Sequence, residues 1–99
     1  MKMKNVRNMK AVLSLRKIGE AVVRVGEEGI FTVPFSVKRG ARYLILLMYK
    51  RREIWFDTLC YSLKRMRVPA PIRQQIPKGE YKIQVFEFGD LRLVRGEDG

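Results

Sequence analysis

The side chains with the clearest chemical use in this chain are basic, because guanidinium and ammonium groups bind phosphate oxygens. One dense group, Lys64, Arg65, Arg67 and Arg73, lies in the stretch KRMRVPAPIR. The others flank a glycine turn or mark a hairpin tip: Lys38, Arg39, Arg42, Arg51 and Arg52. We predict that these nine residues form a nucleic-acid-binding site.

Charge supports a polyanionic partner. The 99 residues include 21 Lys and Arg against 10 Asp and Glu, which gives a net charge of +11 and a pI of about 10.3. Nucleic acid is the commonest partner of such a chain, because each neutralised phosphate releases counterions, and we favour duplex DNA. Two alternatives stay open: a solvated basic surface like that of many thermophile proteins, and an anionic membrane surface.

Catalytic and metal-binding residue types are scarce. The chain has no histidine and one cysteine, Cys60, which excludes an intramolecular disulfide, the usual structural zinc site and a histidine-assisted nucleophile. Cys60 stands between Leu59 and Tyr61 and is predicted to be an ordinary buried thiol. The carboxylates sit mostly in turns beside basic residues, so we expect no enzymatic activity, no catalytic residue, no metal and no cofactor.

Targeting signals also bear on the partner. No stretch approaches the roughly 18 apolar residues of a membrane span, and the start of the chain lacks the apolar core of a signal peptide. We therefore expect a cytoplasmic protein with no membrane contact. The sequence leaves a homodimer open.

The apolar pattern predicts a mainly β protein, a small barrel-like domain with one short helix. We expect a basic N-terminal arm over residues 1–10, a single β-rich domain over 11–94 and a flexible tail over 95–99. Arg65 and Arg67 alternate with Met66 and Val68, which is the period of a half-buried strand with one charged face. The alternative for that charged face is an exposed strand edge that charge protects from pairing.

Individual strands follow from the same pattern. Turns are predicted at residues 17–20, at the Lys50–Glu53 hairpin tip and at Gly89-Asp90, and one strand is predicted over Leu59–Val68. The run LILLM, within residues 41–49, is apolar on both faces and is expected to be covered on both sides. Pro71 and Pro77 bound the short helix.

The chain also contains an internal repeat. Pro69 laid over Pro34, an offset of 35 residues, aligns FTVPFSV…KRGARYLILL with MRVPAPIRQQIPKGEYKIQV and sets Gly40 opposite Gly79. Five residues separate proline from glycine in the first half and nine in the second, and the difference is about one helical turn. We predict two β-β-(α)-β repeats, about 21–56 and 59–94, related by a pseudo-twofold axis. Chance reuse of Val-Pro and Lys-Gly is the alternative.

Residues 68–73 together with 77–81 carry a family resemblance. VPAPIR followed by PKGEY resembles the swapped-hairpin AbrB-type DNA-binding domain, whose half reads roughly G-R-x-x-I-P-x-x-(I/V/L)-R, a short helix, then G-D-x-(V/L). The resemblance implies a small transcriptional regulator or chromatin-type factor in which Arg65 and Arg73 face DNA. In the second half, Lys64 occupies the position of the family's leading glycine. In the first half, Gly29 keeps that glycine, but Ile30 occupies the position of the family's arginine.

A second function remains open. The same unit occurs in other cradle-loop barrels, of the double-psi and RIFT types, that need not bind DNA. The chain would then be a non-catalytic β-barrel interaction module for RNA or a protein partner, with outward aromatic rings as stacking platforms. The candidate rings are Tyr43, Tyr49, Trp55, Tyr61 and Tyr81.

Overall fold

Six strands and one helix make up the computed structural model, which describes residues 9–95. In chain order they are β1 (Met9–Val25), β2 (Ile30–Thr32), β3 (Arg42–Tyr49), β4 (Arg52–Leu59), β5 (Arg65–Arg67), α1 (Ala70–Arg73) and β6 (Gly79–Arg95). An antiparallel sheet has the order β1-β6-β3-β4, and β2 pairs with β5 in a second antiparallel sheet. The predicted mainly β, barrel-like domain with one short helix is confirmed. That helix, of four residues, is too short to cross a membrane.

The core lies between the two sheets. Alternate residues of the four-stranded sheet point inward, and Ile45, Leu47 and Ile83 are almost completely buried there. Phe31 of β2 and Met66 of β5 close the core from the other side. We call the sheet face toward β2 and β5 the inner face and the opposite one the outer face. Each fully buried large apolar side chain contributes about 1.5–3 kcal/mol to folding.

The pairing of β2 with β5 shows the pseudo-twofold relation. Phe31 lies directly opposite Met66, its equivalent at the offset of 35 residues. The bonds on either side are reciprocal, because Val33 N donates to Lys64 O at 2.9 Å and Val68 N donates to Gly29 O at 2.8 Å. Gly29 and Lys64 are also equivalent, and both adopt a left-handed backbone, with φ of 79° and 57°.

The four-stranded sheet follows the same symmetry. β3 pairs with β6, while β4 lies outside β3 and the inner half of β1 lies outside β6. The repeats are therefore β1-β2-β3 and β4-β5-α1-β6. β4 opens the second repeat, whereas the predicted first repeat, about 21–56, included residues 54–56. A return strand and the first strand of a new unit have the same sequence pattern, so the pattern does not distinguish them.

Two predicted turns are wrong. β1 runs unbroken through residues 17–20, and β6 runs unbroken through Gly89 and Asp90. The strands shift register at these places, so the residues form bulges instead of reversing the chain. At Gly89 an added Cβ would lie 2.9 Å from the Ser14 Cβ, so the glycine permits close approach of the strands.

The unbroken strands create a projecting ribbon. β6 last pairs with β3 at Glu87, and beyond it residues 88–95 pair only with residues 9–15 of β1. We call these two segments the ribbon, which extends about 24 Å past the sheet at the usual rise of a strand. Residues 9, 10 and 95, expected in the arm and tail, are paired here, and the rest of those segments lies outside the described residues.

The predicted strand over Leu59–Val68 is interrupted. β4 ends at Leu59 and β5 begins at Arg65, with a turn between them. The left-handed Lys64 and a bond from Tyr61 N to Arg65 O at 3.2 Å fold this connection back on itself. Apolar and polar residues alternate from Tyr61 to Lys64 as they would along a strand, so the sequence pattern does not reveal the turn.

The prediction that β3 is covered on both faces holds for one face. β3 lies inside the sheet, between β6 and β4, and its inner residues Ile45 and Leu47 are fully buried. Leu46 points outward and is shielded only by its neighbours, and Leu44 and Met48 are half-buried. No second layer among residues 9–95 packs on this outer face.

The helix region is held by its prolines and by Tyr81. Pro71 occupies the first turn of α1, as predicted, and Ile76 packs into the core. The Tyr81 hydroxyl donates a hydrogen bond to the Pro77 carbonyl. Burial, with a smaller effect of Tyr49, raises the pKa of the Tyr81 hydroxyl above its ordinary value.

The left-handed Lys64 gives a stability prediction. A non-glycine residue in this conformation costs about 1–2 kcal/mol, of which glycine recovers a part because it loses more backbone entropy on folding. We expect Lys64→Gly to be more stable than Lys64→Ala by about 1 kcal/mol in urea unfolding. Both variants lose the same charge, so equal midpoints would contradict the left-handed assignment.

Candidate nucleic-acid interface

The connection between β4 and β5, in the second repeat, is hydrogen-bonded to the turn before β3 in the first repeat. Gly40 N donates to Cys60 O at 2.8 Å, and Cys60 N donates to Ala41 O at 2.9 Å. These bonds hold the turn before β3 against the end of β4. Since Tyr61 also bonds to β5, residues from both halves of the chain meet around Cys60 and Tyr61.

Six of the nine predicted basic residues belong to these joined segments. We call them the Tyr61 basic cluster: Lys38, Arg39, Arg42, Lys64, Arg65 and Arg67. Five are exposed and Lys64 is half-buried. Three of the six come from each repeat. The two groups are far apart in the sequence, and the hydrogen bonds between their segments bring them together.

β5 sets the direction of its arginines. Met66 is fully buried, so Arg65 and Arg67 on either side of it point to solvent, as the alternating pattern predicted. The Thr58 hydroxyl donates to Arg67 O at 2.6 Å and fixes β5 against β4. The arginines are therefore displayed by a short strand that is anchored on both sides.

A groove of about 320 Å³ runs along β4 beside the cluster and contains Arg42, Tyr61 and Arg67. The Arg67 guanidinium lies over the Tyr61 ring, 5.7 Å from its centroid. Arg42 donates to Asp57 Oδ2 from Nε at 2.9 Å and from Nη2 at 2.6 Å. The groove thus combines the Tyr61 ring, the Arg67 guanidinium that lies over it, and Arg42, whose charge Asp57 partly balances.

The three other predicted residues lie elsewhere. Arg51 and Arg52 occupy the β3–β4 hairpin tip, and Arg52 Nη2 donates to Gln75 Oε1 at 3.2 Å. The length of β3, about 24 Å, separates this tip from Arg42.

Arg73 has a structural contact in the opposite turn. Its Nη1 donates to Glu28 O at 2.7 Å, and its Cδ lies only 2.3 Å from where a Cβ on Gly29 would be. The side chain therefore covers the left-handed Gly29. The shorter first repeat has no helix to supply such a cover at Lys64, which explains why a side chain is tolerated there.

The candidate stacking rings divide into two groups. Tyr43 and Tyr81 are buried in the core, and Tyr49 packs edge-on against Tyr81 with ring centroids 5.8 Å apart. Trp55 and Tyr61 are exposed. Of the two exposed rings, Tyr61 is the one that lies beside the basic cluster, whereas the buried Tyr43 contacts the cluster through its hydroxyl, which accepts a hydrogen bond from Lys38 N at 2.7 Å.

Of three residues near the groove, one was predicted from the sequence and two were not. Cys60 is buried, as predicted, and its thiol donates to Ser62 O at 3.1 Å. Thr58 and Asp57, which position Arg67 and Arg42, were missed. Both act through strand pairing, and no local motif marks such contacts.

Comparison with protein-family models, with curated proteins and with solved structures finds no match to this chain. The AbrB-type resemblance therefore stays a prediction.

The Thr58 hydroxyl provides a test of the groove. Thr58→Val should cost about 1–2 kcal/mol in chemical unfolding, because Arg67 O then loses its bond in a half-buried place. Thr58→Ser keeps the hydroxyl and should retain most of the stability. If serine and valine destabilise equally, the hydroxyl does not hold β5 in place.

Proposed function

We propose that this protein binds nucleic acid, with duplex DNA preferred, through the Tyr61 basic cluster. The observation that carries the proposal is that two segments with three cations each, one from each repeat, are hydrogen-bonded at one connection. Arg42 of one segment and Arg67 of the other line the same groove, beside the carboxylate of Asp57. Phosphate groups spaced along a backbone match such an array of guanidinium and ammonium groups.

The hairpin tip supplies a second contact in this proposal. Lys50, Arg51 and Arg52 lie about 24 Å from Arg42, a distance that several base pairs of duplex span. Arg73 is left out of this contact surface, because its side chain covers Gly29 and bonds to Glu28 O in the opposite turn, away from the cluster. This departs from the AbrB-type resemblance, which places that arginine on DNA.

The proposed role is that of a small regulator or chromatin-type factor. The AbrB-type resemblance supports it, and so does the outward direction of Arg65, the other family arginine that faces DNA. Phosphate contacts alone carry no base information, so a sequence-tolerant binder is the simplest form of the proposal.

One observation favours a second candidate, the binding of single-stranded RNA. The Tyr61 ring is exposed in the groove beside Arg67, where an unstacked base could lie on it. A competition experiment separates the two, since a duplex cannot stack on this ring. Stronger competition by single-stranded RNA than by duplex DNA would reverse the preference.

The salt dependence of binding tests the proposal. If all six cations contact phosphates, the logarithm of the affinity should fall by about 5 per tenfold rise in salt. Arg65→Ala with Arg67→Ala should make this slope shallower by about 2 and weaken binding roughly 50-fold at about 0.1 M salt.

A double variant of equal charge provides the control. Arg24→Ala with Lys82→Ala removes two cations from the outer face, away from the cluster, and should change neither the slope nor the affinity appreciably. Equal losses in both double variants would show that net charge alone drives binding. An absence of DNA binding at low salt would reject the proposal.

A further inference from the structure

The outer face of the four-stranded sheet is unusually apolar. Trp55 of β4 lies against Phe86 of β6 with ring centroids 5.7 Å apart. On β3 between them, Leu46 lies opposite Trp55 and Leu44 lies opposite Phe86. Trp55 is 47% exposed. Nothing within residues 9–95 covers these rings, although a sheet face of this composition is normally packed against another layer.

The apolar strip continues along the ribbon. Leu15 lies opposite Phe88, Leu13 lies opposite Leu91, and Ala11 lies opposite Leu93. Directly opposed residues share a face, and alternate residues of a strand return to that face, so these pairs extend the outer face from Phe86 toward the ribbon tip. The intervening positions include Lys10 and Arg92, which gives the ribbon a basic reverse side.

The size of the strip exceeds what a monomer usually exposes. Of eleven large apolar side chains exposed among the described residues, all but Tyr61 and Leu63 lie on this face. They expose roughly 700–1,100 Å² together, if a fully exposed large side chain offers about 150–250 Å². The largest apolar patch on a typical monomer is about 300–600 Å².

The ribbon also needs a partner for its own stability. A two-stranded antiparallel segment is at best marginally stable in water unless an apolar face packs against another element. Within the part of the chain that the structure describes, residues 9–15 and 88–95 pair only with each other. Packing on the outer face would supply the missing layer.

Charge indicates what covers the face. On the four-stranded part four cations are matched by four carboxylates: Lys17 bonds to Glu20, Arg42 bonds to Asp57, and Arg24 lies opposite Glu80. The fourth cation and carboxylate, Lys82 and Glu53, lie on either side of Met48. The Lys17 hydrogen bond holds the pKa of Glu20 below its ordinary value. The face is thus neutral on a chain of net charge +11.

Neutrality excludes the partners that the rest of the surface attracts. Nucleic acid and an anionic membrane both prefer a face with excess positive charge. A second copy of the chain meets no net repulsion here, and mixed charges allow each cation to approach a carboxylate of the other copy. The exposed apolar area is also close to the roughly 800 Å² per partner of a standard interface.

We propose that two copies of this chain associate through their outer faces, ribbon included, as an isologous dimer. The two four-stranded sheets pack face to face around Trp55 and the leucines of the ribbon, and the Tyr61 basic clusters remain on the outside of the assembly. The proposal does not rest on nucleic-acid binding, because the apolar strip that carries it contains none of the six cations of the cluster. The two surfaces meet at Arg42 and Asp57, which lie at the edge of the outer face and also line the groove.

Dilution of the full-length protein tests the interface directly. In high salt, which displaces bound nucleic acid, sedimentation velocity should show a dimer at high micromolar concentration that dissociates on dilution. Trp55 is the only tryptophan, so its emission should shift to the red and its quenching by acrylamide should rise over the same concentration range. A monomer at all concentrations would overturn the proposal, as would a dimer whose Trp55 stays fully quenchable.

Paired substitutions identify the surface. Leu91→Glu with Leu93→Glu should yield a monomer, whereas Leu63→Glu, at a 78% exposed apolar residue off the face, should leave the dimer unchanged. Circular dichroism verifies that each variant is folded. The proposal is contradicted if the ribbon variant is still a dimer, or if Leu63→Glu dissociates the dimer equally. If the ribbon variant does not fold, the dilution series of the wild-type protein still tests the proposal.

Discussion

The short pairing of β2 with β5 is the constraint on which the rest of the structure depends. Each repeat contributes one three-residue strand, and the two strands meet at Phe31 and Met66, which close the core over the four-stranded sheet. Neither repeat could bury its inner apolar face alone. The strand that covers the core in each repeat, β2 or β5, is held in place by pairing with the covering strand of the other repeat. Folding of the two halves is therefore coupled, and a single core results.

The same symmetry explains how this small chain separates its charges. Pairing across the axis brings the turn before β3 next to the β4–β5 connection, so basic residues from distant parts of the chain gather around Tyr61. The opposite side of the molecule carries balanced charges and most of the exposed apolar side chains. One side suits a polyanion and the other suits a protein surface, and the two meet at Arg42 and Asp57.

Local pattern predicted much of this fold, and strand pairing decided the remainder. The two proline positions and their offset of 35 residues revealed the repeat, and the alternation around Met66 gave the direction of Arg65 and Arg67. The bulge at Gly89 was predicted as a turn, because a glycine followed by an aspartate occurs both in hairpin turns and in β-bulges. The contacts of Asp57 and Arg73 depend on register and on the packing of the helix over Gly29, which no single stretch of sequence encodes.

The most direct test of the account is a nuclear Overhauser measurement between β2 and β5. Phe31 and Met66 form a hydrogen-bonded position, so the flanking pairs are of the close, non-hydrogen-bonded type, with Cα atoms about 4.5 Å apart. The account predicts strong Hα–Hα signals between Thr32 and Arg65 and between Ile30 and Arg67. Absence of both signals, or Hα contacts of β2 with a strand of its own repeat instead, would contradict it.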